Sequence, residues 1–233
     1  MRLAKYLASC GRGSRRACEQ IVRSGVVAVN GEIITDPAHN VDPEADKVTV
    51  NGEEAAPREL VYYALHKPVG YTCSREDKHA AHLVTELVPA DPPVWPVGRL
   101  DRDTSGLLVM TNDGRLTQQL THPSFEKAKE YLLTTDTGFT PDQAAEARAG
   151  VVLADGPLVP DRFEPAGGKT YRIVIHEGRK RVVRRFAAYF GKKTTYLART
   201  RIGSLELGEL PEGGFRVLTS AEVEGLVKPE TGH

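Results

Sequence analysis

Between Gly98 and Leu108 the chain reads Gly-Arg-Leu-Asp-Arg-Asp-Thr-Ser-Gly-Leu-Leu, so two carboxylates and two further arginine charges crowd the entrance to an apolar run. A carboxylate in such a place can cap a turn, ligate a divalent metal or, when ionised, act as a nucleophile. Asp101 and Asp103 are two apart, so on an extended segment they share a face, but two carboxylates alone do not make a ligand set. No neighbouring His, Glu or Asp completes a ligand set, and the three cysteines have no C-x-x-C spacing, so no metal site is expected. On the residues alone the turn cap and the ionised nucleophile both stay open.

The elements that must position these residues follow from periodicity. Leu3 and Leu7 share a helical face, and Gly11 and Gly13 break the chain after them. Ser14 is a helix N-cap for Arg15–Ser24, with Ala17, Cys18, Ile21 and Val22 apolar and Gly25 at the C-terminal stop. Val26–Val29, Asn30-Gly31 and Glu32–Thr35 read as a hairpin, and Lys47–Val50 as a third strand before Asn51-Gly52. Glu53–Arg58 has the polarity and proline of a linker. Strands are expected over Val61–His66, Leu107–Thr111, Tyr131–Thr135, Thr170–Ile175, Lys193–Thr200, Ser204–Leu207 and Phe215–Leu218. Helices are expected to Leu120, over Pro141–Ala149 and over Arg179–Phe190. Strands outnumber helices and no βα unit repeats, so the fold class is α+β, with a small ααβββ module ahead of a larger, mainly antiparallel sheet domain.

The chain has 233 residues, 40% apolar and 27% charged, with a formal net charge of zero. That balance is not local. Residues 1–31 carry +5 and residues 168–201 carry +10, while residues 32–60 carry −6 and the segment after 201 carries −4. Two concentrated basic segments in a neutral chain point to local binding of a polyanion, RNA or DNA. No apolar stretch is long enough to span a bilayer. Leu7-Ala8-Ser9-Cys10 looks like a lipoprotein cleavage box but lacks the apolar run before it, and Met1–Ser9 reads as a first helix instead. Cys10, Cys18 and Cys73 are an odd set, expected to be reduced thiols of a cytoplasmic protein.

The Gly98–Leu108 run, with Thr111-Asn112-Asp113-Gly114 after it, resembles the signature loop of the pseudouridine synthases, specifically the RsuA/RluB family. The resemblance continues in order through Thr121-His122-Pro123-Ser124, Lys129-Glu130-Tyr131, Glu177-Gly178-Arg179, Val183-Arg184-Arg185-Phe186, Leu197-Ala198-Arg199 and Ile202-Gly203. The first 55 or so residues are similar to the small RNA-binding module named after ribosomal protein S-four. The chain departs from the family's E-G-R-N-R-Q-V-R-R-M pattern at Lys180, Val182 and Phe186.

The resemblance implies an S-four-like module over residues 1–55, a linker over 56–60 and a catalytic domain over 61–233. It implies an isomerase that converts uridine to pseudouridine in structured ribosomal RNA, with a lean to the large subunit, and that needs no cofactor. Asp101 would be the nucleophile, acting at the sugar or at the base. Arg184 would be its guanidinium partner, with Arg185 the competing choice. Tyr131 would stack on the uracil and take part in removing the C5 proton, and Leu197 would pack against the base from the other side. Arg99 would fill the place an extruded base leaves. Arg2, Lys5, Arg12, Ser14, Arg15, Arg16, Arg23 and Asn30, with Arg179 and Lys180 of the second segment, would hold RNA. A monomer is expected, because the basic surface must face RNA. The competing readings are a non-catalytic RNA-binding ribosome-assembly factor and a metal-dependent phosphohydrolase using Asp101 and Asp103.

Overall fold

The computed structural model describes residues 1–74, 80–121 and 127–228. The chain divides into two compact units, Met1–Val61 with Asp91–Pro93, and Tyr62–Ala90 with Val94–His233.

The first unit contains α1 (Leu3–Ser9), α2 (Arg15–Arg23), β1 (Val27–Val29), β2 (Glu32–Ile33), β3 (Val48–Val50) and β4 (Glu53–Glu54). The strands form an antiparallel sheet in the order β2-β1-β3-β4. Leu3, Leu7, Cys18, Val22, Val27 and Val48 are buried together between the helices and the sheet. Ser14 accepts from the Ala17 amide at 3.2 Å and so caps α2. Asn30 takes the left-handed conformation the hairpin turn requires. Its side chain donates to Asp46 at 2.9 Å and accepts from the Lys47 amide at 3.0 Å.

The linker expected at Glu53–Arg58 is corrected here. Asn51-Gly52 turns the chain back, and Glu53–Glu54 pairs with β3 as a fourth strand. Beyond it the Tyr6 hydroxyl donates to the Ala55 carbonyl at 2.9 Å, and the Arg58 amide donates to the Ser9 carbonyl at 3.2 Å. Backbone hydrogen bonds therefore hold this stretch to the module as far as Arg58.

The second unit begins with β5 (Tyr62–Lys67), a 3-10 turn over Val84–Leu87, β6 (Trp95–Pro96), β7 (Ser105–Thr111), α3 (Gly114–Thr121) and β8 (Lys129–Thr135). It continues with α4 (Pro141–Ala149), β9 (Val151–Leu153), β10 (Gly156–Leu158), β11 (Arg162–Gly167), β12 (Thr170–Ile175) and α5 (Val182–Tyr189). It closes with β13 (Thr194–Ile202), β14 (Leu205–Glu206), β15 (Phe215–Val217) and α6 (Ser220–Val227). The main sheet runs β11-β12-β8-β13-β7-β5-β15, with β14 on β13 and β6 on β7, while β9 and β10 make a separate hairpin. All of its pairings are antiparallel except β13 with β7, which is parallel. Every residue of β7 is buried, as a central strand covered on both faces must be. Leu116 of α3 and Leu226 of α6 pack with Ala64, Leu107, Val109 and Leu218 on one face.

At the β11–β12 end, Phe163 stacks on Tyr171 at 5.2 Å, and Phe139, Phe186 and Phe190 meet these rings or one another edge-on. This explains two of the three departures from the family pattern, because Val182 and Phe186 point into packing and are buried. Helix α5 begins at Val182 rather than Arg179, since Arg181 takes a left-handed φ of 52° and the residues before it form a turn. The His122-Pro123-Ser124 part of the resemblance lies outside the described residues.

The parallel pairing puts two backbones unusually close. A Cβ built on Gly106, whose φ is +110°, would lie 2.2 Å from the Arg199 carbonyl oxygen and 2.4 Å from its nitrogen. Gly106→Ala is therefore expected to destabilise the domain by more than about 2 kcal/mol in urea unfolding. Gly114→Ala, where a Cβ meets nothing within 4 Å, should leave stability unchanged or slightly raised. Equal stability of the two variants would contradict the close approach.

Candidate active site

The Gly98–Thr104 loop delivers the chain into β7 and is held from beneath by β5. Lys67, the last residue of β5, pairs across the sheet with Gly106 and is fully buried. Its ammonium donates to the Thr104 carbonyl at 2.7 Å, to Pro68 at 2.9 Å and to Arg102 at 3.5 Å. Burial pushes its pKa down, while Cys73, Asp103 and Asp101 oppose that shift. The Arg102 carbonyl also accepts from the Gly70 amide at 2.8 Å, and Arg102 Nε donates back to Gly70 at 3.2 Å. The Leu100 amide donates to Cys73 Sγ at 3.4 Å, and burial pushes that thiol's pKa up. A hydrogen bond from Thr104 N to the Asp101 carbonyl at 3.0 Å closes the turn. The Asp101 side chain, about one-third exposed at 34%, stands at the accessible edge of this loop.

The loop is held from above by the turn before α5. Arg181 makes a bidentate pair with Asp103, Nη1 to Oδ1 at 3.0 Å and Nη2 to Oδ2 at 2.9 Å. The same guanidinium lies 3.9 Å from Asp101 Oδ2. Arg184, on the first turn of α5 and only 12% exposed, donates to the Asp103 carbonyl at 2.5 Å and to Thr104 Oγ1 at 3.3 Å, with its Nε 3.4 Å from Asp103 Oδ2. Hydrogen bonds from Arg181 and the charge of Arg184 hold the Asp103 carboxyl below the usual carboxylate range. Asp103 in turn raises the pKa of Arg181, whereas burial lowers that of Arg184.

Arg184, the expected guanidinium partner of Asp101, bonds to Asp103 and Thr104, while Arg181 comes within 3.9 Å of the Asp101 carboxylate. Arg185 pairs with Asp155 at 2.5 and 2.7 Å instead. Arg179, expected to hold RNA, is tied to Glu177, to Asp155 Oδ1 at 2.9 Å and to the carbonyls of Asp155, Gly156 and Pro157. Lys180 is exposed, as are Arg99, Arg2, Lys5, Arg15, Arg16 and Arg23. Arg12 is half-buried and pairs with Glu53 at 3.4 Å. Ser14 and Asn30 serve the cap and turn described above, which accounts for both residues without RNA.

Across the sheet, Tyr131 of β8 stands opposite Arg199 of β13, and Arg199 stands opposite Gly106 of β7. Leu197 lies two residues before Arg199, opposite Leu133, so alternation puts Tyr131, Leu133, Leu197 and Arg199 on one face. Tyr131 and Leu197 are both buried. Arg199 is buried as well, and its Nε donates to the Leu107 carbonyl at 2.9 Å. Among the described residues its Nη2 has no hydrogen-bond partner. This row ends beside the start of β7, where the Asp101 loop enters.

Lys67, Arg181 and Arg199 are not singled out as site residues by the sequence, and Asp103 is weighed there only as a metal ligand. Lys67 carried one usable signal, a lysine ending an apolar strand directly before proline. Among the described residues no group of three or more His, Cys, Asp or Glu could hold a metal ion. Both Asp103 oxygens are instead occupied by Arg181. Two surface cavities, about 390 Å³ beside Cys10 and Arg58 and about 500 Å³ beside Ser204 and Glu222, include none of the loop's residues in their linings.

The arrangement presents an acid within reach of a guanidinium, at the end of a sheet row that carries a tyrosine and a leucine. Residues 61–189 match the family model for RNA pseudouridylate synthase, and residues 1–47 match that for the S4 domain. The chain belongs to the RNA pseudouridine synthase family, isomerases that act on uridine in RNA. It is 40% identical to an uncharacterized RNA pseudouridine synthase of Mycobacterium tuberculosis (strain H37Rv), over 97% of this chain and 92% of that protein. It is 34% identical to ribosomal large subunit pseudouridine synthase B of Bacillus subtilis (strain 168), over 97% and 95%. A crystal structure of a pseudouridylate synthase superposes with a TM-score of 0.70 at 30% identity, covering 97% of this chain and all of that one. Among the described residues no helix is long and apolar enough to cross a membrane.

Two outcomes test the loop's supports. Lys67→Met keeps the buried stem but leaves carbonyls of the loop without their donor. It should cost about 1–3 kcal/mol in thermal or urea unfolding and slow turnover at temperatures where the protein remains folded. Full stability and activity would count against the clamp. The second outcome is a pH dependence. Asp103 has a depressed folded-state pKa, so its contribution to stability is present above the unfolded value of about 4 and is lost as pH falls through the folded value. The stability difference between wild type and Asp103→Asn should therefore be constant from pH 6 to 8 and shrink below about pH 4. A difference that grows on acidification would refute the ion pair.

Proposed function

We propose that this enzyme isomerises one or a few uridines of ribosomal RNA, with Asp101 as the nucleophile. The supporting observation is the placement of the Asp101 carboxylate, partly exposed at the edge of a loop clamped between a buried lysine and an arginine pair, with Arg181 at 3.9 Å. The likeness to ribosomal large subunit pseudouridine synthase B supports ribosomal RNA, and within it the large-subunit RNA, as substrate.

The net chemistry breaks the C1′–N1 bond of uridine and forms a C1′–C5 bond. The proton leaves C5 and N1 gains one, so the balance needs no oxidant, reductant or second substrate. Asp101 supplies the ionised oxygen that releases the base from its nitrogen linkage. Arg181 and Arg184 keep Asp103 charged and the loop aimed. Tyr131 stacks on the detached uracil and takes part in removing the C5 proton, with Leu197 packed against the base. A uridine in folded RNA must leave its stack first, at a cost of a few kcal/mol, and the exposed Arg99, two residues before the nucleophile, fills the vacated space. Phosphate contacts from Arg2, Lys5, Arg15, Arg16 and Arg23, with Lys180, offset that cost. The S-four-like module is assigned residues 1–55 and the catalytic domain residues 61–233. Cytoplasmic location follows from the substrate proposed.

The test is complementation. Pseudouridines are mapped in ribosomal RNA from cells lacking the gene and from the same cells supplied with wild type or Asp101→Ala. At least one position should be uridine without the gene, pseudouridine with wild type, and uridine with Asp101→Ala. Restoration of every site by Asp101→Ala would exclude Asp101 as the nucleophile. No difference between deleted and wild-type cells would exclude ribosomal RNA as the substrate.

A further inference from the structure

One acid away from the Asp101 loop makes ion pairs that the reaction does not use directly. Asp155 sits at the tip of the β9–β10 hairpin. Its two carboxylate oxygens accept from Arg185 at 2.5 and 2.7 Å, and Oδ1 accepts from Arg179 at 2.9 Å. Arg179 also donates to the carbonyls of Asp155, Gly156 and Pro157, so it is bonded along the whole tip. Arg185 bridges from Asp155 to the Lys180 carbonyl at 3.0 Å, and its own amide donates to the Arg181 carbonyl at 2.9 Å. The segment between these anchors is the one that carries Arg181.

That segment combines an unfavourable backbone angle with crowded like charge. Arg181 has a left-handed φ of 52°, a region unfavourable for any residue with a Cβ. Five cationic side chains fall between residues 179 and 185, and Arg179 and Arg185 repel each other where they meet at Asp155. Glu177 is the one acid within the segment, and it serves Arg179. The neutralising charge for Arg185 comes from Asp155, which lies 30 residues earlier in the chain.

We propose that Asp155 is a positioning residue of the reaction: by gripping Arg185 and Arg179 it fixes the Glu177–Arg181 turn in the shape that delivers Arg181 to Asp103 and Asp101. The proposal rests on the reading of Asp101 as the nucleophile. It also assigns Arg179 and Arg185 away from phosphate. Removing the Asp155 charge would then have effects of opposite sign. The chemical step would slow because Arg181 loses its support, while RNA binding would hold or tighten because two guanidinia become free for phosphates.

The experiment measures single-turnover release of tritium from ribosomal RNA that is labelled at C5 of its uracils and isolated from cells lacking the gene. RNA affinity and its salt dependence are measured in parallel. Asp155 is 42% exposed in its side chain, so Asp155→Asn is expected to fold with a melting temperature near that of wild type. Its rate should fall about tenfold, with affinity equal or tighter and a steeper salt slope. Arg185→Gln breaks the same grip from the other side and should slow the step comparably. In an Arg181→Gln background, adding Asp155→Asn should change the rate less than about twofold, because residues acting through one contact are not additive. An unimpaired rate for Asp155→Asn, or the same fold-loss with and without Arg181, would overturn the proposal. So would a loss of RNA affinity that accounts for the whole effect. Asp101→Asn serves as the reference. If it keeps the wild-type rate, the nucleophile reading fails and the positioning role with it. If it is inactive while Asp155→Asn is unimpaired, only the positioning role fails.

Discussion

The two-pronged pair between Arg181 and Asp103 is the contact on which the site depends. It joins the turn before α5 to the loop before β7, and both are irregular segments with no ladder of their own to fix them. A bidentate guanidinium–carboxylate contact sets orientation as well as distance. On the other side of the loop, the fully buried Lys67 donates to the carbonyls of Pro68, Arg102 and Thr104. The loop is therefore fixed from two directions by charge, and Asp101 occupies the stretch between. Breaking an exposed surface pair costs little. This pair is half-exposed at Asp103 but is backed by Arg184, whose own burial makes it depend on the same acid.

The sheet contributes the second constraint. Its single parallel pairing, β13 with β7, brings Arg199 against Gly106 at a separation no side chain at 106 could tolerate. That approach lines up Tyr131, Arg199 and the start of β7 in one row. A glycine at this place is therefore a packing requirement that also brings the loop before β7 and the tyrosine of β8 to the same end of the row. Arg199 spends one nitrogen on the Leu107 backbone and carries its charge in a buried position beneath the loop.

Much of this was legible in the residues. Alternation and the Asn-Gly turns gave the two helices and first three strands of the module. The Gly98–Leu108 run, once its resemblance was noted, pointed to the family that the comparisons establish. What escaped has physical reasons. The second Asn-Gly, at Asn51-Gly52, was visible as a turn, but the two-residue strand after it is acidic and carries no apolar pattern, so Glu53–Glu54 read as linker. Strand β11 and the β9–β10 hairpin are short and interrupted by proline and glycine. The approach of Arg181 to Asp101 at 3.9 Å accompanies a left-handed backbone at 181, which no local pattern announces. The occupation of Arg179 and Arg185 by Asp155 is a contact across more than twenty residues, which no local pattern encodes.

Charge is accordingly put to two uses. In the first unit Arg2, Lys5, Arg15, Arg16 and Arg23 stay exposed, which suits the phosphate contacts proposed for them. In the second unit the densest basic run is largely consumed by Asp103, Asp155 and Glu177, so its arginines shape a loop more than they attract RNA. The central claim is that one of two neighbouring carboxylates does the chemistry and the other holds the loop. The most direct measurement compares single-turnover pseudouridine formation by Asp101→Asn and Asp103→Asn on the same RNA, under conditions where both remain folded and bound. Asp101→Asn should be inactive, while Asp103→Asn should form the product slowly but completely. Product formation by Asp101→Asn, with none by Asp103→Asn, would exchange their roles and contradict the account.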